Sequence, residues 1–245
     1  MDTYKLLFKE SPKYIQPESY LRAMSECIFF MLVAGGIVSY LYTPEIFTLN
    51  PLKERLGYNN FCVGIDAPPG KYFSLPFAIL AVYFCIQFNI YDHLRTKIID
   101  TEKSSWKSKF SIIANNFFIV SIVVFVLCLM VTPMDNVWAH LLLFVQVIFF
   151  MGLVHMANYF EYPNPELSYT IYNIVLVAVS FLLSIFYIVN FYNYDLMIAQ
   201  GYMEVVPLIP KVVVQTLDYI WFFCLFTYAF FVPNGEKIKV HYFIK

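Results

Sequence analysis

The sequence predicts an all-α integral membrane protein of six transmembrane helices with both ends in the cytosol. Three observations predict it: long stretches without charge, a composition 60% hydrophobic and only 13% charged, and Lys and Arg gathered in alternate connections. No Asp, Glu, Lys or Arg occurs between Glu26 and Glu45, Lys71 and Asp92, Lys109 and Asp135, Asp135 and Glu161, or Glu166 and Asp195, and a sixth stretch, Val212 to Val232, holds only Asp218. Each can cross about 30 Å of hydrocarbon. Because lipid offers the backbone no hydrogen-bond partners, such segments cross as helices. The spans are expected at about 24–43, 72–91, 110–132, 137–158, 167–191 and 211–232, forming a membrane domain over 21–232 between a short segment, 1–20, and a tail, 233–245. A soluble fold would have to hide all of this apolar surface from water, and the composition excludes it.

Span one follows some twenty mixed residues and reads as a signal anchor rather than a cleaved signal peptide. Its Gly35-Gly36 with Ser39 lets a neighbouring element approach closely. Ala67-Pro68-Pro69-Gly70 breaks the chain before span two, and Thr132-Pro133-Met134-Asp135-Asn136 folds spans three and four into an antiparallel hairpin. Asn164-Pro165-Glu166 offers span five a capping side chain, a proline for the first helical position and a carboxylate near the positive end of the dipole. Pro207 and Pro210 bracket the start of span six. There is no internal repeat, and the unequal outer loops argue against an inverted-repeat transporter.

Alternating the connections puts twelve of the sixteen Lys and Arg on one side: Lys5, Lys9, Lys13, Arg22, Arg95, Lys97, Lys103, Lys107, Lys109, Lys237, Lys239 and Lys245. Lys53, Arg55, Lys71 and Lys211 fall on the other. The positive-inside rule assigns the first side to the cytosol. Chemistry or recognition on the far side then rests on the loops Pro44–Lys71 and Asp195–Pro210 and the adjoining helix ends.

A net charge of −1 and no basic aromatic patch argue against nucleic-acid partners. Cys27, Cys85, Cys128 and Cys224 lie in spans and Cys62 in a loop, so no disulfide framework is implied. No Asn-x-Ser/Thr acceptor, GxSxG elbow, phosphate loop, HExxH pair or CxxC occurs, and no cofactor or metal is indicated.

Tyrosines such as Tyr40, Tyr42, Tyr72 and Tyr192 fall near span ends, where an amphipathic ring suits the interface. Polar residues inside spans are more informative, because hydrocarbon penalises each one that lacks a partner or cavity. Gln87, Asn89, Asn115, Asn116 and His155 fall in the cytosolic half and are expected to hydrogen-bond between helices. His140, Gln215 and Asp218 fall in the opposite half. Asp218 is the one carboxylate well inside a helix, to be paired, neutralised or set against a polar cavity. His140 is a candidate partner, although helical rise sets it about 10 Å nearer the surface. A His and an Asp from different spans suit general base catalysis, without an identified nucleophile.

Six spans with cytosolic ends, a medium first outer loop and a very short second one resemble the DRAM-type six-helix membrane protein family, within it the branch that contains post-GPI-attachment-to-proteins factor 2. Phe61-Cys62-Val63-Gly64 followed by Ala67-Pro68 is similar to that branch's segment before the second span, as are Asn136 and His140 after the short turn and Asp218-Tyr219 in the last span. Asp66, the added Pro69-Gly70 and an Asp rather than a Glu at 218 depart from the pattern. The resemblance implies remodelling of GPI-anchor lipid at the lumenal leaflet of the Golgi or endoplasmic reticulum, restoring a saturated chain to the lyso-anchor. The protein would be a membrane-embedded acyltransferase or an accessory to one. Partners would be membrane lipid, GPI-anchored proteins and membrane-protein subunits. Phe61, Cys62, Gly64, Asp66 and Pro68 would form the head-group loop and His140 and Asp218 the catalytic pair, with Asn115, Asn116, His155 and Gln215 as further intramembrane polar groups. The competing expectation is a non-catalytic structural subunit of a larger membrane complex, in another organelle such as the mitochondrial inner membrane.

Overall fold

The computed structural model describes residues 14–99, 106–161, 165–232 and 238–239. A two-residue strand β1 (Tyr14–Ile15) precedes α1 (Pro17–Tyr42), and the loop after α1 then folds into a 3₁₀ turn (Pro44–Phe47), a short helix α2 (Pro51–Leu56) and a second 3₁₀ turn (Phe61–Ile65). The long helices that follow are α3 (Gly70–Ile99), α4 (Trp106–Phe125, continued by a 3₁₀ turn Val126–Leu129), α5 (Val137–Glu161), α6 (Leu167–Ala199) and α7 (Lys211–Phe231). Strand β2 (Ile238–Lys239) pairs antiparallel with β1, Tyr14 opposite Lys239. Among the described residues the fold is all-α apart from that pair. Five helices, α1, α3, α4 with its turn, α5 and α6, are long and apolar enough to cross a membrane among the described residues. The remaining long helix, α7, is not among those five; it has 21 residues, a length of about 32 Å at about 1.5 Å per residue.

Helix ends follow local chemistry. Asn50 Oδ1 accepts from Leu52 N at 2.8 Å to start α2, with Pro51 at its first position, and Gly57 closes the helix at φ +79°. Asn136 Oδ1 accepts from Ala139 N at 2.9 Å at the head of α5. In the turn before it, the Asp135 carboxylate accepts from Thr132 N at 3.0 Å and Thr132 Oγ1 at 2.7 Å, and these bonds hold it below the usual carboxylate range. The start of α6 departs from expectation. Asn164 lies outside the described residues, and Glu166 itself is the N-cap and makes no side-chain cap bond. Spans two and five are longer than expected, α3 running to Ile99 and α6 to Ala199, because amphipathic ends such as Tyr192 and Tyr194 carry the helix past the uncharged stretch.

Most helices pack on their neighbours in sequence, α4 on α5, α5 on α6 and α6 on α7, while α1 lies along α3 and α7 closes the ring against α1. The interior is filled by rings such as Phe84, Phe88, Phe118, Tyr187, Phe191 and Phe222. The small residues of α1 bring the following loop into backbone contact. A Cβ on Gly64 would sit 2.5 Å from Gly36 Cα and 3.0 Å from its N. Ser39 Oγ donates to Gly64 O at 2.7 Å, and Ser74 Oγ to Met31 O at 3.0 Å, so α1, the second 3₁₀ turn and α3 form one block.

Candidate functional site

The Phe61–Ile65 turn sorts its side chains by the three-residue period of a 3₁₀ helix. Asn60 Oδ1 accepts from Cys62 N at 3.1 Å to start it. Phe61, 45% exposed, and Gly64 face an outer groove, whereas Cys62 and Ile65, at 5% and 3%, point into the bundle. Asp66 follows at 5% exposure and meets His140, also at 5%, with Oδ1 3.4 Å from Nε2.

His140 is held on its other side. Nδ1 lies 2.8 Å from Val131 O, which can only accept, so Nδ1 carries a proton. Nε2 is the ring nitrogen left to face Asp66. Cys128 Sγ lies 3.3 Å from Nδ1 and donates to His140 O at 3.5 Å, packing the ring in place. Burial raises the Asp66 carboxyl to about 6, against the pull of His140 first, then Asn50 and Lys71. Burial pushes the Cys62 thiol well up as well, reinforced by Asp66, Asp218 and Cys128.

The second buried acid is tied elsewhere. Asp218, 0% exposed, accepts from Tyr187 OH at 2.7 Å, and the Tyr187 and Tyr58 hydroxyls are 3.4 Å apart. Burial, then the Asp218 carboxylate, raises the Tyr58 hydroxyl well above its ordinary value. His140 thus pairs with Asp66 from the loop rather than with Asp218, because α5 starts at the level of the loop while Asp218 lies two turns inside α7. Cys62 lies within the electrostatic reach of both acids.

The loop residues proposed to meet a head group are mostly folded inward. Cys62, Gly64 and Asp66 are buried, Phe61 is half exposed, and Pro68 is exposed. Above them, Arg55 binds Asp195 at 3.0 Å and lies 5.0 Å over the Tyr194 ring, and Trp138 Nε1 donates to the same carboxylate, fastening α2 onto the end of α6.

Beside this cluster a groove of about 530 Å³ runs between α1 and α7, lined by Ile37, Leu41, Phe226 and the outward faces of Phe61 and Gly64. Phe47, which lines the groove, accepts at its carbonyl from Lys53 Nζ at 3.0 Å and from Asn59 Nδ2 at 2.8 Å.

At the opposite end, Arg95 binds buried Glu18 and, at 2.6 Å, buried Asp92, whose other oxygen accepts from Asn115 Nδ2 at 2.9 Å. Asn115 meets the expectation of an interhelical bond. Asn116 does not, being exposed on the outside of α4. Gln215 donates to Tyr219 OH at 2.9 Å within its own helix, and Asn89 to Cys85 O at 3.3 Å within α3. His155 is buried with its ring edge-on to Tyr228 at 4.6 Å, and its Nδ1 has no hydrogen-bond partner among the described residues.

Sequence reading missed the Glu18–Arg95–Asp92 network and the roles of Asp66 and Asp195. Asp92 and Arg95 stand three apart, a helical ion-pair spacing that signals part of it. Nothing local signals Glu18, 77 residues away from Arg95. Among the described residues no three of His, Cys, Asp and Glu come together to hold a metal ion. Compared with protein-family models, characterised proteins and solved structures, the chain matches none.

Proposed function

We propose that this is a lipid-remodelling membrane protein acting at the outer leaflet, as catalyst or accessory, on lyso-lipid of the GPI-anchor class. The observation that carries the reading is the Asp66–His140 pair, an acid and an imidazole of fixed tautomer buried beside an apolar groove. As catalyst, His140 Nε2 takes the proton of the lipid hydroxyl once Asp66 yields its place, and Asp66 then stabilises the imidazolium. The hydroxyl oxygen attacks the ester carbonyl of a phospholipid donor, and the proton passes to the departing alkoxide. Asp218, held by Tyr187, orders the neighbouring wall.

The reading has six spans with both ends cytosolic. Strands on opposite sides of a membrane cannot hydrogen-bond, so the β1–β2 pair supports an even number of crossings, with α7 as the sixth. The charge bias supports the orientation, with Asp66 and His140 on the lumenal side of a Golgi or endoplasmic reticulum membrane.

The test is expression in cells lacking their own remodelling factor, with the acyl chains of a GPI-anchored reporter read by mass spectrometry. Wild type restores saturated diacyl anchors, and His140→Ala and Asp66→Asn, inserted and localised normally, do not. Variants that restore them fully remove the site assignment, and a wild type that leaves anchors unchanged removes the remodelling reading.

One observation favours a second reading, a non-catalytic subunit of a larger complex: both members of the pair are 95% buried, as suits a packing element. It predicts stoichiometric co-purification with partner chains.

A further inference from the structure

The geometry points to the α1–α7 groove as a binding site for one acyl chain of a phospholipid, with the phosphate seated over Lys53. The long wall is aliphatic and aromatic, Val33, Ile37 and Leu41 from α1 facing Phe61 and Phe226. At the outer half of a hydrocarbon-facing seam, such a surface is filled by a chain in preference to water. The volume sets how much chain. A methylene occupies a share similar to that of a water molecule, roughly 30 Å³, so about 530 Å³ matches one chain of roughly eighteen carbons.

Charge sets the head group. The Lys53 ammonium and the Asn59 amide converge on the carbonyl of Phe47, a residue that itself lines the groove. Lys53 pairs with no carboxylate among the described residues, whereas Arg55 on the same short helix is committed to Asp195. A cation beside an amide donor at the mouth of an apolar channel complements a phosphate whose tail lies within.

The groove is also kept open by construction. Gly36 lines it, and a Cβ there would meet nothing within 4 Å, so the missing side chain leaves room rather than relieving a clash. The inference deepens the lipid-remodelling reading by naming the chain-binding surface, yet binding is measurable without any reaction.

The experiment uses the full chain, purified and placed in phosphatidylcholine vesicles, with a lysophosphatidic acid bearing a diazirine in its palmitoyl chain. The matching diazirine fatty alcohol serves as the phosphate-free probe, and labelled peptides are mapped by mass spectrometry. Labelling is expected to concentrate on groove residues such as Ile37 and Phe226. Gly36→Leu, whose Cβ meets nothing within 4 Å, fills the groove and is expected to lower that labelling about tenfold, while labelling around exposed Ile185 stays unchanged and the melting temperature does not fall. Lys53→Ala is expected to lower labelling by the phosphate probe about fivefold and to leave the alcohol probe unaffected. Equal labelling of the groove and of exposed faces such as Ile79 and Ile185, or no response to Gly36→Leu, overturns the site. No response to Lys53→Ala overturns the phosphate assignment. A groove that stays unlabelled while a second copy or partner chain crosslinks across it belongs to a protein, which also overturns it. Groove labelling without anchor remodelling removes only the remodelling reading, and remodelling without groove labelling removes only this inference.

Discussion

Replacing Asp66 by Asn is expected to stabilise the protein at neutral pH. The folded state keeps the Asp66 proton until about pH 6, while an exposed carboxyl releases it near 3.8. Between those values the folded state binds more protons than the unfolded one, so stability falls as pH rises through this window and stays reduced above it. At about 1.4 kcal/mol per pH unit the ionised carboxylate costs about 3 kcal/mol at pH 7. Asn keeps the shape and has no charge to desolvate. A change of 1 kcal/mol moves the melting temperature by about 2–4 °C for a chain of this size, so the variant should melt about 6–12 °C higher at pH 7 and with the wild type at pH 4. Melting at constant scan rate in one detergent, from pH 4 to pH 8, provides the comparison. A wild type that melts above the variant at pH 7 would refute the reasoning, because attraction to His140 would then outweigh the burial of Asp66.

Gly64→Ala should cost about 1–3 kcal/mol, since its Cβ meets the Gly36 backbone at 2.5 Å, whereas Gly36→Ala, with nothing within 4 Å, should gain up to about 1 kcal/mol from helix propensity; melting of the two variants side by side checks both. Arg95→Met removes the cation that Glu18 and Asp92 share and should cost about 3–5 kcal/mol, seen as a lower melting temperature and reduced yield of monodisperse protein. Tyr187→Phe should cost about 1.5–3 kcal/mol by removing the donor to buried Asp218, and Asp218→Asn less, because an amide oxygen still accepts that bond; equal losses in melting would contradict this arrangement.

The long helices were legible because hydrocarbon imposes a length and an absence of charge that one pass along the chain can read. Their ends were less so, since Tyr, Asn and His tolerate the interface and let α3 and α6 run on beyond the uncharged stretch. The small-residue patch of α1 was readable as a site of close approach, but not that its partner would be a loop glycine as well as a helix. His140 and Asp218 stood out as polar groups in apolar company, which is a local property. Their partners did not, because Asp66 lies 74 residues from His140 and Tyr187 lies 31 from Asp218, and in a ring of helices such contacts follow from rotation about each axis. Glu18 and Arg95 read as ordinary flanking charges for the same reason.

The order in which the ring is built follows from its seam. Contacts of α3 with α1, and of α4 through α7 with their predecessors, can form as each segment leaves the ribosome, for they join close stretches of chain. The contact of α1 with α7 joins the first and last of the long helices described and must wait until α7 has been made. Until then the flank of α1 that carries Ile37 and Leu41 faces lipid directly, and truncation before Lys211 removes one wall of the groove along with the acid at 218. The cavity is therefore a late product of synthesis: a chain that lacks α7 cannot possess it.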